Sequence, residues 1–292
     1  MPTLLDFRRR IRSVKNSQQI TRAMKFVAAA RLRRAQEAAL AARPYAQELA
    51  RVLRSTMARI QEPQHALLER REEKNVLAIV LSGERGLAGA FNTNLLRKAN
   101  EFFRANSGKK IVVVPVGKKG RDALKKAGFT FAGEWINVLA RVEFKVAREI
   151  AKLTTDLYAE GKVDSVYIIF SEFKSVMAPN LALEKLLPVE AFGEEKESSE
   201  KETAASQVDY IYEQPEAQLL NKLLPRYVET QILRAMLESS ASEYAARMTA
   251  MESATKNAGD VIEALTLHMN KVRQAAITKE IIEIVSGAAY GA

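Results

Sequence analysis

Residues 241–276 read ASEYAARMTAMESATKNAGDVIEALTLHMNKVRQAA. In that stretch Ala241, Tyr244, Met248, Met251, Thr255, Ala258, Ile262, Leu265, Met269, Val272 and Ala276 return in alternating steps of three and four. Such spacing keeps a mainly apolar stripe on one helix face, the seam of a coiled coil. A second stripe lies near the other end of the chain, at Ala28, Leu32, Ala35, Ala39, Ala42, Ala46, Leu49 and Leu53. Neither stripe is stable against water, so the two predict each other as partners. Alanine dominates the first seam and lets the backbones approach, while leucine and methionine on the second fill the grooves. The segment between them is domain-sized. The simplest closure is therefore an antiparallel pair of terminal helices with a globular head at one end, a rod with a knob.

The helical pattern from about Ala217 to Gly287 would span ~105 Å at 1.5 Å per residue, more than an ordinary domain needs. Arg43-Pro44-Tyr45 holds the one breaker in the first helix. Pro44 lacks an amide proton and crowds the preceding turn, which predicts a kink or a division there.

The middle alternates between strand and helix patterns. Asn75 to Ser82 is a short apolar run bounded by glycine, as a buried parallel strand requires, and Ile111 to Val116 and Val166 to Phe170 are similar. Helices are expected at about Asn92 to Ala105, Lys118 to Lys126 and Val142 to Glu160, the last with Val142, Val146, Ile150, Leu153 and Leu157 on one face. Glu194 to Gln207 is rich in Glu, Lys and Ser and reads as a flexible linker. The fold class expected is α/β with long helices: an antiparallel coiled coil of the N- and C-terminal helices plus a small Rossmann-like α/β domain. Its divisions are a coiled-coil helix over 1–60, the α/β domain over 74–192, the linker over 193–208 and a second coiled-coil helix over 209–292.

A chain of 292 residues with 47% hydrophobic content can bury a core. It has no run of about 18 apolar residues and no apolar signal core, which leads us to expect a soluble chain made without a cleaved signal. The basic start of the chain also begins the first helix, so it is not read as a discarded transit peptide. Zero cysteines exclude disulfides, thiolate-bound zinc and thiol switches. His65 and His268 have no metal-ligand neighbours in the sequence. No metal and no cofactor are expected.

The net charge of +10 is concentrated: residues 1–59 carry 14 Lys and Arg against Asp6, Glu37 and Glu48. A basic helix of this kind is a solvated face, meets an acidic protein surface, or grips nucleic acid. Against nucleic acid, the charges share their helix with a continuous seam, and no aromatic stacking platform interleaves them.

Ser82-Gly83-Glu84-Arg85-Gly86-Leu87-Ala88-Gly89 follows a strand and precedes a helix, where phosphate-binding turns lie. It has neither G-x-G-x-x-G nor GxxxxGK[ST] spacing, so it reads as a tight strand-to-helix turn. Gly117-Lys118-Lys119-Gly120 reads the same way. No nucleophile is paired with a base in a recognisable arrangement, and a non-enzymatic chain is expected.

Six segments carry a resemblance. Ala246 to Ala258, Asn270 to Ile281 and Glu283 to Ala288 closely resemble the gamma subunits of rotary, proton-driven ATP synthases. So do Ile20 to Leu32, Arg43-Pro44-Tyr45 and the turn from Ser82 to Asn92. The resemblance covers nearly the whole chain. It implies that the paired terminal helices form an asymmetric shaft inside a hexamer of alternating alpha and beta subunits. The α/β domain would be the foot, seated with the epsilon subunit on the membrane ring of c subunits, peripheral to a bacterial plasma (inner) membrane on its cytoplasmic side. Rotation of the shaft would drive the catalytic cycle of beta, with ATP synthesis or hydrolysis coupled to proton flow and the nucleotides held by alpha and beta. By motif, Arg247, Arg273, Gln274 and Thr278 would form polar catches with loops of beta. Met24 and Lys25 would lie in a coupling segment near acidic levers of beta, and Glu84, Arg85 and Gly86 in the turn of the foot. The apolar tip Ile281, Ile282, Ile284 and Val285 would turn within the hexamer's upper sleeve. Glu84 stands where the family commonly has Asp and Ala88 where it commonly has Cys, and the cysteine pair of light-regulated plastid homologues is lacking. Two alternatives stay open: a basic coiled-coil nucleic-acid-binding protein, and an α/β enzyme with a helical oligomerisation stalk.

Overall fold

The computed structural model describes residues 3–59, 65–175, 179–189 and 216–290, and the expected linker lies outside them. Two long helices bracket the chain, α1 (Leu4–Arg59) and α5 (Glu216–Tyr290). Between them run β1 (Asn75–Leu81), α2 (Phe91–Ala105), β2 (Lys110–Val116), α3 (Lys118–Lys126), β3 (Thr130–Phe131), α4 (Phe144–Ala159), β4 (Ser165–Phe173) and β5 (Pro179–Leu187). The chain divides into two compact units, Ala30–Ala246 and Met1–Ala29 with Arg247–Ala292.

The larger unit is a five-stranded sheet in the order β3-β2-β1-β4-β5, parallel apart from β5. β1 is central, with Asn75 opposite Lys110 on β2 and Val76 opposite Ser165 on β4. Side chains alternate across a strand, so the continuous apolar run of β1 feeds two cores. Val76, Ala78 and Val80 pack with Leu95, Ala99, Phe102 and Phe103 of α2. Leu77, Ile79 and Leu81 belong to the opposite core, which takes in Ile150 and Tyr158 of α4, Leu53 and Met57 of α1, and Leu224, Val228 and Ile232 of α5. Both long helices thus contribute side chains to the core beneath the sheet. Within this unit the seam residues Ala39, Ala46, Leu49 and Leu53 of α1 are buried, as are Ala241 and Tyr244 of α5.

Charged groups finish the sheet at the N-terminal ends of its parallel strands. Glu73 accepts hydrogen bonds from Lys109 Nζ at 2.7 Å and the Tyr167 hydroxyl at 3.0 Å, and pairs with Lys185 at 3.0 Å. Burial disfavours its ionised form, but these donors outweigh burial and hold the carboxyl at about 2. Asp164 accepts from the amides of Lys74 and Asn75 at 3.0 and 2.7 Å, fixing the start of β1.

In the smaller unit, α1 and α5 run antiparallel. Phe7 stacks obliquely on His268 with ring centroids 5.1 Å apart, Gln18 Nε2 donates to the Thr255 carbonyl, and Lys25 meets Glu252 at 2.5 Å, so one number rises as the other falls. The Thr21 and Thr255 hydroxyls, 2.8 Å apart, sit between them.

Three features depart from the sequence expectation. α1 is not divided at Pro44: the helix runs unbroken through it, and α5 runs through Pro225. One missing backbone hydrogen bond is outweighed here by buried Ala39, Ala46 and Leu49 on the flanking turns and by the hydrogen bond from Arg43 to the Phe173 carbonyl. The sheet also has two strands that the sequence pattern did not announce. β3 has two residues, too few for a periodic signal, and β5 contains the Ala-Leu-Glu-Lys run of good helix formers that antiparallel pairing with β4 overrides.

Candidate functional site

The glycine-rich turn after β1 lies where doubly wound folds gather ligands, at the carboxyl ends of the strands beside the N-terminus of the next helix. At the neighbouring start of α3 the first donors are already used. The first amides of α3 go to the chain itself: Lys118 N donates to Glu84 Oε2 at 3.0 Å, Lys119 N to the Gly83 carbonyl at 3.1 Å, and Gly120 N to Ser82 Oγ at 2.7 Å. Glu84 Oε1 accepts from Val138 N at 3.0 Å, so one carboxylate staples a helix start to a distant loop. A negative charge at a helix N-terminus is favourable, and the side chain supplies what a phosphate supplies elsewhere. Gly83 N donates to Asn92 Oδ1 at 2.8 Å. The fit is close: with φ at +101°, a Cβ on Gly117 would lie 1.9 Å from the Ser82 carbonyl oxygen, and one on Gly120 would lie 2.5 Å from Ser82 Oγ. Arg85, Gly86 and Leu87 face outward beside it.

Strand order reverses between β1 and β4, and the crevice at their carboxyl ends is the place where an open α/β sheet binds its ligand. α5 fills it. Residues 238–245 of that helix are buried on every side, although the run contains Glu238, Ser239, Ser240, Ser242 and Glu243. Ser239 Oγ donates to the carbonyl of Leu81 at the end of β1, and Ser240 Oγ donates at 2.9 Å to the carbonyl of Leu139. The hydroxyls of Ser242 and Ser171 on β4 are 2.6 Å apart. Glu238 has one oxygen 3.9 Å from Arg43, and burial pushes its carboxyl above the usual range, opposed by Arg234 and Arg43. Sequence reasoning passed over this run. Its visible signal was a cluster of serines between two glutamates on a helix whose preceding turns carry the apolar positions Val228, Ile232, Ala235 and Met236.

The helix pair of the smaller unit is dressed differently. Met248, Thr255, Ala258, Ile262, Leu265, Met269, Val272 and Ala276 are only half-buried, since two helices cannot close both flanks of a seam. Among the described residues, eleven of the sixteen large hydrophobic side chains that are exposed belong to this unit, including Ile20, Phe26, Val27, Val261, Leu267 and Ile277. Ile281, Ile282, Ile284 and Val285 are 55–71% exposed, and at about 100° per residue they spread over an arc of about 160° of the helix. So much exposed apolar surface on a helix pair marks a protein contact.

The residues singled out by resemblance fall into separate places. Arg273, Gln274 and Thr278 lie together on the exposed part of α5, with the Thr278 hydroxyl donating to the Gln274 carbonyl at 2.9 Å. Arg247 is half-buried farther down the same helix. Lys25 is paired with Glu252, and Met24 beside it is half-buried. Glu84, Arg85 and Gly86 belong to the larger unit, in the capped turn. No helix among the described residues is long and apolar enough to cross a membrane.

A family model described as ATP synthase matches residues 3–289. The ATP synthase gamma chain of Solibacter usitatus (strain Ellin6076) is 50% identical over 293 residues, covering 99% of either chain. That of Pelotomaculum thermopropionicum (strain DSM 13744 / JCM 10971 / SI) is 45% identical over 289 residues, again covering 99% of each. Among solved structures, the rotor of Euglena gracilis mitochondrial ATP synthase in rotational state 1 superposes with a TM-score of 0.65 at 20% identity, covering 94% of this chain and 98% of that one.

Proposed function

The chain belongs to the ATP synthase gamma-chain family, and from that premise we propose that it is the central rotor shaft of a proton-driven ATP synthase. Its helix pair turns inside a hexamer of alpha and beta subunits and couples rotation of a membrane c-ring to conformational cycling of catalytic beta. The chain itself is non-catalytic. The α/β head is the foot of the shaft, held with the epsilon subunit against the ring on the cytoplasmic face of a bacterial plasma membrane. The observation that carries this reading is the helix pair itself, whose half-buried seam and exposed apolar residues around α5 call for an enclosing protein sleeve. An asymmetric shaft in such a sleeve offers each beta subunit a different face, and each angle favours a different binding state.

The residue assignments belong to the same proposal. Arg273, Gln274 and Thr278, exposed on α5, and Arg247 lower down are the polar catches for loops of beta. Met24 and Lys25 form the coupling segment, with Lys25 exchanging Glu252 for an acidic lever of beta. Glu84, with Arg85 and Gly86, shapes the turn of the foot. The divisions 1–60, 74–192, 193–208 and 209–292 remain our working boundaries for shaft, foot and linker.

The test is ATPase activity of cognate alpha and beta subunits assembled with and without the chain, and with the double variant Arg273→Ala, Gln274→Ala. The chain should raise turnover, and the double variant should assemble normally but lower turnover. A chain that leaves turnover unchanged, or that fails to join the hexamer, would sink the reading.

A further inference from the structure

We propose that Ser239, Ser240 and Ser242 are torsional keys, positioning residues that lock the long helix to the head so that torque passes between them without slip. The inference rests on the rotor reading above. A shaft that transmits torque must resist turning about its own axis inside the head. Apolar packing around a helix opposes withdrawal and tilting, but it is non-directional and offers less resistance to a small rotation. Hydrogen bonds are directional and short-ranged. Among the described residues, three serines of the helix make such bonds where it passes through the head, beside the ion pair of Arg234 with Glu184 on β5.

Their placement fits that task. The three serines lie on an arc of about 160° around the helix. Each reaches a different part of the head: the end of β1 through the Leu81 carbonyl, the loop carrying Leu139, and β4 through the Ser171 hydroxyl. Distances run from 2.6 to 3.3 Å. All three hydroxyls are buried, so water is not at hand to replace a broken bond. Turning the helix by about 20° would carry a serine oxygen about 1.4 Å sideways, enough to break such a bond. Small side chains also let the helix sit directly on the strand ends. Glu243 adds a stop, because its carboxyl group lies where a Cβ on Gly83 would come within 3.0 Å of it. The run Glu-Ser-Ser-Ala-Ser-Glu is costly to bury without a reason of this sort, since an apolar helix would fill the crevice without unpaired polar groups.

The experiment uses the assembled complex, with the hexamer fixed to a surface and a gold rod attached to the head. Rotation under ATP is recorded first, then thermal angular fluctuations of the rod in the stalled complex. The variant is the triple change Ser239→Ala, Ser240→Ala, Ser242→Ala, which removes three oxygens and keeps the shape. Its control is Leu95→Ala, which lowers the melting temperature of the head from the opposite face of the sheet without touching α5. The triple variant should raise the angular variance, by about twofold if the directional contacts supply half of the stiffness, and should lower proton pumping per ATP hydrolysed. The control should change neither. Equal effects in both proteins, or unchanged variance in the triple variant, would overturn the keys while leaving the rotor intact. A wild-type head that never turns overturns the rotor reading and the keys together. If the triple variant does not assemble, the single changes carry the test, and each must raise the variance.

Discussion

Replacing Glu84 with alanine removes one carboxylate that accepts from two backbone amides, Lys118 N and Val138 N, each at 3.0 Å. A hydrogen bond to a charged group contributes about 1.5–3 kcal/mol, and the charge at the start of α3 adds about 0.3–1 kcal/mol. Lys118 is exposed and water can take over its amide, whereas Val138 is half-buried and loses more. The net cost should be about 2–3 kcal/mol, which for a unit of this size lowers the melting temperature by roughly 4–10 °C. The chain carries a convenient reporter. Trp135, its only tryptophan, lies in the same loop system, with its amide donating to the Pro115 carbonyl and its own carbonyl accepting from Gly117 N. Its fluorescence during thermal unfolding therefore follows the head, and hydrogen exchange at Lys118 and Val138 reads the two bonds directly. Glu84→Gln, which loses charge and one acceptor, should fall between parent and alanine variant. A melting temperature within 1 °C of the parent, or unchanged exchange at Val138, would refute the staple.

Glu73 gives a pH-dependent prediction. Its carboxyl is held at about 2 in the folded chain, below its unfolded value, so the stabilisation is complete above that unfolded value and lost as pH falls toward 2. With solvent screening at a partly exposed site, Glu73→Gln should cost about 1–2 kcal/mol near neutral pH. The difference between parent and variant in urea unfolding should shrink below about pH 4.5, and a constant difference down to pH 2 would contradict it. Gly117→Ala forces a Cβ to 1.9 Å from the Ser82 carbonyl oxygen at a φ of +101°, which should cost about 3 kcal/mol or more. A soluble variant with a parental denaturation midpoint would show that the turn tolerates what its geometry forbids.

The parts of the fold that depend on local periodicity were legible. β1 stands out as a continuous apolar run because both of its faces are covered, and the seams stand out because their steps of three and four persist for many turns. α3 begins and ends where its lysines suggested. What was not legible depends on distant partners. The partners of Glu84 lie 34 and 54 residues away, so the sequence showed an acid in a turn and not what the acid holds. The serines of α5 gain their meaning only when the helix enters the crevice between β1 and β4. The division read at Pro44 does not occur, because breaker strength is a local quantity, while the helix around it is held by burial. Identity was legible for another reason: the terminal segments carry residue patterns that packing alone does not dictate.

The most direct measurement is the angular motion of a probe on the α/β head when the chain is assembled with cognate alpha and beta subunits and supplied with ATP. The account predicts stepwise rotation in one direction, at a rate set by the ATP concentration and abolished when the ATP is removed. A head that stays fixed, or fluctuates equally in both directions while ATP is hydrolysed, would contradict it.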